Sequence, residues 1–178
     1  MVFRFILISD EVENFMREIQ IDSDATFLDL HKAILKSCDY PDDQITSFFI
    51  CENGWEKTQE ITLEDMGTSY EDDTYLMANT RLSELLEDEK QHMLYRYDIL
   101  GDRMFFIELS EIITRKTLDE AVVTRSIGNP PPQRLNMDEL DKRNPVIYSA
   151  DYVDEDMTSD DFSDEDIAME GLDLSDEF

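Results

Sequence analysis

The chain has 178 residues, with 44 Asp or Glu against 15 Lys or Arg and a formal charge of −29 at pH 7. A surface of that sign repels nucleic-acid phosphates, which are bound by releasing counterions onto Lys and Arg, and it repels anionic membrane surfaces. It favours basic partners, cations or simple solubility, while a hydrophobic content of 41% with ten Phe, seven Tyr and nine Met supplies one core plus an extension.

Val2 to Ser9 is a run of β-branched and aromatic residues that predicts a buried strand. Its eight residues before an acidic run are too few and too soon charged for a signal peptide, and no stretch of the chain reaches 18 apolar residues. Glu11 to Asn14 predicts a turn, and Phe15 to Ile21 alternates as the hairpin partner, with Arg17 on the core side or at its edge. Thr26 is an N-cap with Asp29 in the capping-box position, and Phe27, Leu30, Ile34 and Leu35 recur at helical spacing. The spacing predicts an amphipathic helix over 27–38, ended by Tyr40-Pro41-Asp42-Asp43.

Ser47 to Cys51 predicts a short strand, Asn53-Gly54 a hairpin turn, and Trp55 to Thr62 the return strand. An acidic loop follows over 64–73. Thr80 is expected to cap a short helix from Arg81 to Glu89 with Leu82, Leu85 and Leu86 inward. Met93 to Tyr97 and Met104 to Ile113 read as strands around a turn at Ile99–Asp102. Leu118 to Thr124 fits a strand or a helical turn, Gly128 to Pro132 a polyproline-like connector, and Met137 to Arg143 a weak helix. The order predicts an α+β fold, with a mostly antiparallel sheet, an N-terminal β-hairpin followed by an amphipathic helix, and a disordered acidic C-terminal tail.

The tail is set apart by charge. Asp151 to Phe178 holds thirteen acids and no Lys or Arg, leaving residues 1–150 with 31 acids against 15 bases, or −16. So charged a segment buries too little apolar surface to offset chain entropy of roughly 1–2 kcal/mol per residue. Yet apolar residues interleave the acids, and Tyr152, Phe162, Ile167, Met169, Leu172 and Phe178 are the candidate binding residues. Acidic–hydrophobic alternation suits a segment that folds onto a basic, grooved partner; a solubilising tail is the alternative. Asp154, Asp156, Thr158, Asp160 and Glu165 follow calcium-loop spacing, but Ser159 stands where the loop needs Gly and Asp161 where it needs an apolar residue.

Two segments carry a family resemblance. The first joins Phe5-Ile6-Leu7-Ile8, Phe15 to Ile21 and Ala25 to Ile34; the second joins Leu82 to Leu86, Tyr95 to Asp102 and Phe105 to Leu109. In order and type they resemble the plasmid pRiA4b ORF-3-like family, also met as a transposon passenger protein. That family has a Thr-Leu-X-X-Leu-His helix and a later Tyr-X-Tyr-Asp-Phe-Gly-Asp-X-Trp-X-His stretch. Here the latter is one residue longer at Tyr97 to Asp102, its Trp and His are replaced around Met104 to Phe106, and the family's Pro-Pro-Glu-Asp motif survives as Pro131-Pro132-Gln133. The resemblance spans residues 3 to about 132 and implies an α+β fold with no settled reaction. The domain expectation is therefore a body over 1–132, a linker with a weak helix over 133–150 and an acidic tail over 151–178.

Candidate chemistry is sparse. His31, on the predicted helix, reads as a structural histidine; His92 reads as solvent-facing. Cys38 and Cys51, thirteen apart, read as buried reduced thiols of a bacterial cytoplasmic protein, and with two His they give no zinc spacing. No nucleophile elbow, Walker loop or dinucleotide fingerprint occurs. Asp98 and Asp102 flank a turn where Asp commonly accepts from nearby backbone N–H groups. Arg4, Arg17, Arg96 and Arg103 are the bases that could neutralise such carboxylates. The expectation is a non-enzymatic interaction module, without catalytic, cofactor or metal residues, binding a basic protein and neither nucleic acid nor membrane. A DNA-mimicking decoy linked to a mobile-element protein, and an enzyme with a site around Arg96, Asp98 and Asp102, are the alternatives.

Overall fold

A computed structural model describes residues 1–65, 67 and 75–143. Part of the acidic 64–73 loop and the whole 151–178 tail lie outside the described residues, and with the tail the six candidate binding residues Tyr152, Phe162, Ile167, Met169, Leu172 and Phe178 and the calcium-loop spacing.

The fold is α+β, built on one mixed, mostly antiparallel sheet. Strands β1 (Val2–Ile8) and β2 (Met16–Asp22) pair antiparallel, and helix α1 (Phe27–Cys38) follows. Next come β3 (Ser47–Glu52), β4 (Glu56–Thr62) and β5 (Tyr75–Leu76), then α2 (Leu82–Leu85). β6 (His92–Asp98), β7 (Arg103–Ile113), β8 (Val122–Ile127) and α3 (Met137–Arg143) complete the order. Across the sheet the strands run β5-β4-β3-β6-β7-β1-β2-β8, and the β4–β5 pair is parallel. β7 therefore returns to lie beside β1, and the two distant halves of the chain share one sheet.

Pleat parity sorts the side chains onto two faces. Phe5 faces Ile19, Phe48 faces Tyr95, and Tyr95 faces Phe105 across successive pairs, and all are buried in the main core. Helix α1 covers this face with Phe27, Leu30 and Ile34, each fully buried. Burial of a side chain of this size is worth roughly 1.5–3 kcal/mol. The helix starts where Thr26 Oγ1 accepts from Asp29 N at 3.2 Å while Asp29 Oδ2 accepts from Thr26 N at 2.9 Å. It stops at Asp39, which is left-handed with φ 55°, and Pro41 prevents resumption. The Asn53-Gly54 turn has φ of 45° and 96°, the left-handed pair that a two-residue hairpin needs.

The opposite, outer face carries a second cluster of Phe49, Cys51 and Leu94 with half-buried Met104 and Phe106 packed against it, and no described helix contributes to it. Cys38 and Cys51 are both free and buried.

Three expectations need correction. The helix expected over Arg81–Glu89 is the single turn Leu82–Leu85, and Arg81 rather than Thr80 occupies its N-cap, its N–H donating to Glu84 Oε1 at 3.1 Å. Leu86 is nonetheless buried, because extended backbone after the turn still reaches the core. The ambiguous Leu118–Thr124 segment resolves as a strand displaced toward the C-terminus, β8, because β2 offers a free edge with which Val122 to Ile127 pair. His92 is half-buried rather than solvent-facing, since the Trp55 ring stacks on it at 4.3 Å.

Candidate functional site

At the end of the sheet bearing the β6–β7 turn, Arg103 is buried to 2% exposure. A charge there requires partners, since an unpaired buried ion costs several kcal/mol. Glu11, from the β1–β2 loop, accepts from Arg103 Nε at 2.8 Å and from its Nη2 at 2.7 Å, a two-point fork. Asp98 Oδ2 lies 3.3 Å from Arg103 Nη1, which also donates to the Gln133 carbonyl at 3.3 Å. The guanidinium sits over the Tyr97 ring, 5.1 Å from its centroid. Burial opposes the Arg103 charge, but the Glu11 carboxylate outweighs it and holds the group above its ordinary basicity. Burial also pushes the Tyr40 and Tyr97 hydroxyls far up, so both stay protonated.

Asp98 Oδ1 accepts from Gly101 N at 3.1 Å, the turn role expected of it. A Cβ at Gly101 would lie 2.6 Å from Asp98 Oδ2 and 2.9 Å from Arg103 Cδ, so a side chain there would displace the Asp98–Arg103 pair. The connector after β8 closes over this cluster. Tyr40 donates its hydroxyl proton to the Pro131 carbonyl, and Gln133 Nε2 donates to the Pro41 carbonyl at 3.0 Å. The Pro131-Pro132-Gln133 remnant is thus tied to the body by main-chain carbonyls. Arg17, buried on the core side, donates to the carbonyls of Ser37, Met16, Ile127 and Gly128.

The residues proposed for an enzyme do not converge. Asp98 points inward to Arg103, whereas Arg96 lies on the outer face, 3.2 Å from Glu60 and 4.0 Å from Asp102. Arg4 pairs with Glu111 at 2.5 Å and reaches Glu18 at 3.9 Å. His31 is fully buried: its Nε2 lies 3.2 Å from Asp42 Oδ1 and its Nδ1 2.8 Å from the Tyr95 hydroxyl. The carboxylate fixes the proton on Nε2, leaving Nδ1 to accept from Tyr95. Burial lowers its pKa, so this histidine is neutral and structural.

On the outer face, above the Arg103 cluster, an open cleft of about 310 Å³ runs between the β1–β2 loop and the β3–β4 turn. Its floor is Leu94, Met104, Phe106 and Trp55; Asp10 and Asp102 stand on its rim, and Glu11 and Arg103 reach it from below. Trp55 packs edge-on to Phe106 at 4.9 Å yet stays 40% exposed. In the sequence Glu11 falls in a turn, Trp55 in a return strand and Gln133 in a motif remnant, and none of the three stands out as a site residue. The one available signal was that Trp55 is the single tryptophan of the chain, beside an Asn-Gly turn. No group of three or more metal-binding side chains occurs among the described residues, and none of their helices is long and apolar enough to cross a membrane.

The model of the plasmid pRiA4b ORF-3-like protein family matches residues 3–136. The crystal structure of a protein of unknown function, MM3350 from Methanosarcina mazei Go1, superposes with a TM-score of 0.57 and 24% identity, covering 70% of this chain and 68% of that one. That likeness concerns the fold. No curated protein matches the chain.

Proposed function

The chain belongs to the plasmid pRiA4b ORF-3-like family, and from that premise we propose that it is a cytoplasmic, non-enzymatic protein-interaction module that engages a basic partner, with its acidic C-terminal region as an electrostatic arm. The observation that carries this reading is the thirteen acids without a single base over 151–178, on a body that is itself at −16. Such a field raises the encounter rate with cationic surfaces and disfavours phosphate backbones. The buried polar groups of the body support the same reading: Arg103, Asp98 and Glu11 satisfy one another, and the tyrosines beside them are held protonated. The interleaved Phe162, Ile167, Met169 and Leu172 would supply the apolar contacts of the arm.

Capture from a cell lysate tests it, comparing the full chain with a chain ending at Ala150. The full chain is expected to retain basic proteins that the shortened one loses, and association is expected to slow as salt rises, because exposed charges are screened beyond ~8 Å at physiological ionic strength. Identical partners for the two chains would remove the arm from the function. A DNA-mimicking decoy is the second reading, favoured by the charge of −29 together with the plasmid named in the family description. It predicts that duplex DNA competes with the chain for the captured protein.

A further inference from the structure

The outer-face cleft has features that the cluster beneath it does not explain. Its apolar floor of Trp55, Phe106 and Met104 is open to solvent, although a tryptophan in a monomer's surface is usually covered. Asp10 and Asp102 stand over that floor. Among the described residues Asp10 forms no ion pair and Asp102 pairs only with Arg96, at 4.0 Å. Aromatic carbon below and carboxylate oxygen above is the environment that holds a guanidinium, which stacks flat on a ring while its edge donates to carboxylates.

The molecule already shows this recognition twice with its own side chains. Arg103 lies over Tyr97 while Glu11 grips its edge, and Arg96 lies over Phe49, 5.0 Å from the centroid, while Glu60 holds it. The cleft sets the same two kinds of group, aromatic ring and carboxylate, around one open space. Lys57, also on the rim, does not fill it, because its ammonium is placed 4.5 Å over the Phe49 ring.

We infer that this cleft binds the side chain of an arginine presented by the basic partner, set against the perpendicular Trp55 and Phe106 rings and paired to Asp10 and Asp102. The assignment rests on the reading of the chain as a module for a basic protein and names the contact that the folded body makes. Arginine is favoured over lysine because a compact, strongly hydrated ammonium gains less from an aromatic floor and cannot bridge two carboxylates with a planar fork. A volume of about 310 Å³ admits one such side chain with part of the backbone that bears it, which suits an arginine flanked by small residues. A nucleic acid is excluded by the two carboxylates at the rim.

Trp55 is the only tryptophan of the chain, so all tryptophan emission comes from a residue that lines the cleft. The full chain is titrated in low salt with a capped Gly-Arg-Gly peptide and with its citrulline counterpart, which keeps the shape and lacks the charge. A saturable change in Trp55 emission is expected with the arginine peptide and at least tenfold weaker binding with citrulline. Asp10→Asn with Asp102→Asn is expected to weaken the arginine peptide at least tenfold. Asp102 has φ 48°, a conformation that Asn also adopts readily, and Glu11 is left alone because it holds Arg103. Unchanged far-ultraviolet circular dichroism shows that the double variant is folded. Equal binding of citrulline, no saturable change up to millimolar peptide, or indifference to the two Asn substitutions would each overturn the assignment. Peptide caught by the acidic tail would not respond to residues 10 and 102. Capture of basic proteins that depends on 151–178 but not on those residues would refute the cleft while leaving the wider reading standing.

Discussion

Replacing Arg103 by Met is the sharpest test of what holds the turn end of the sheet. Met keeps an aliphatic stem of similar length and removes the guanidinium that lies over Tyr97. It takes the cation away from two carboxylates whose side chains are 16% and 8% exposed, those of Glu11 and Asp98. Deleting one partner of a buried pair costs about 3–5 kcal/mol, chiefly because the remaining charge is left desolvated. For a body of this size that corresponds to a fall of roughly 10–15 °C in melting temperature. Urea denaturation followed by circular dichroism at pH 7 measures it. The triple variant R103M/E11Q/D98N, which carries no charge at this locus, must be more stable at pH 7 than R103M alone. A loss below about 1 kcal/mol for R103M, or a triple variant no better than the single, would show that the ion cluster is not what secures the turn.

Two more predictions follow from the geometry. Gly128→Ala puts a Cβ 2.5 Å from the Asn14 carbonyl oxygen at φ +67°, so both sterics and backbone strain oppose it. The variant is expected to lose at least ~2 kcal/mol in the same denaturation assay, with the Arg17 contacts to Ile127 and Gly128 disturbed. His31 has a folded pKa below its ordinary 6.5, mainly because it is buried. The unfolded chain therefore binds more protons, and stability present above about pH 6.5 is lost as pH falls through the folded value, by up to about 1.4 kcal/mol per pH unit. His31→Gln is expected to flatten this slope, and a slope unchanged by the substitution would refute the account.

Local structure was legible wherever its cause lies within a few residues. Thr26 and Asp29 cap their helix because donor and acceptor are three residues apart, and the apolar spacing of Phe27, Leu30 and Ile34 marks its length and its buried side. Asn53-Gly54 turns because those residues tolerate left-handed backbone. Legibility failed where distant chain decides. Nothing near Leu118 says that β2 has a vacant edge for Val122–Ile127. The expected helix over 81–89 is one turn because the following backbone is drawn into extended form toward the core.

The candidate site divides along the same line. Composition and order along the chain determined the acidity, the separation of a −16 body from a base-free tail, the α+β class and the family resemblance, since each depends on residue type and local spacing alone. Which carboxylates meet which cation was decided by the tertiary structure. Glu11 and Arg103 are 92 residues apart, as are Pro41 and Gln133, and they meet only because β7 returns beside β1 and the terminal connector folds back past α1. Trp55 and Phe106 become one apolar floor because β6 pairs with β3 on one side and β7 on the other. Pairing of strands remote in sequence is chosen by burial of the whole sheet face, a global sum that no short stretch of residues contains.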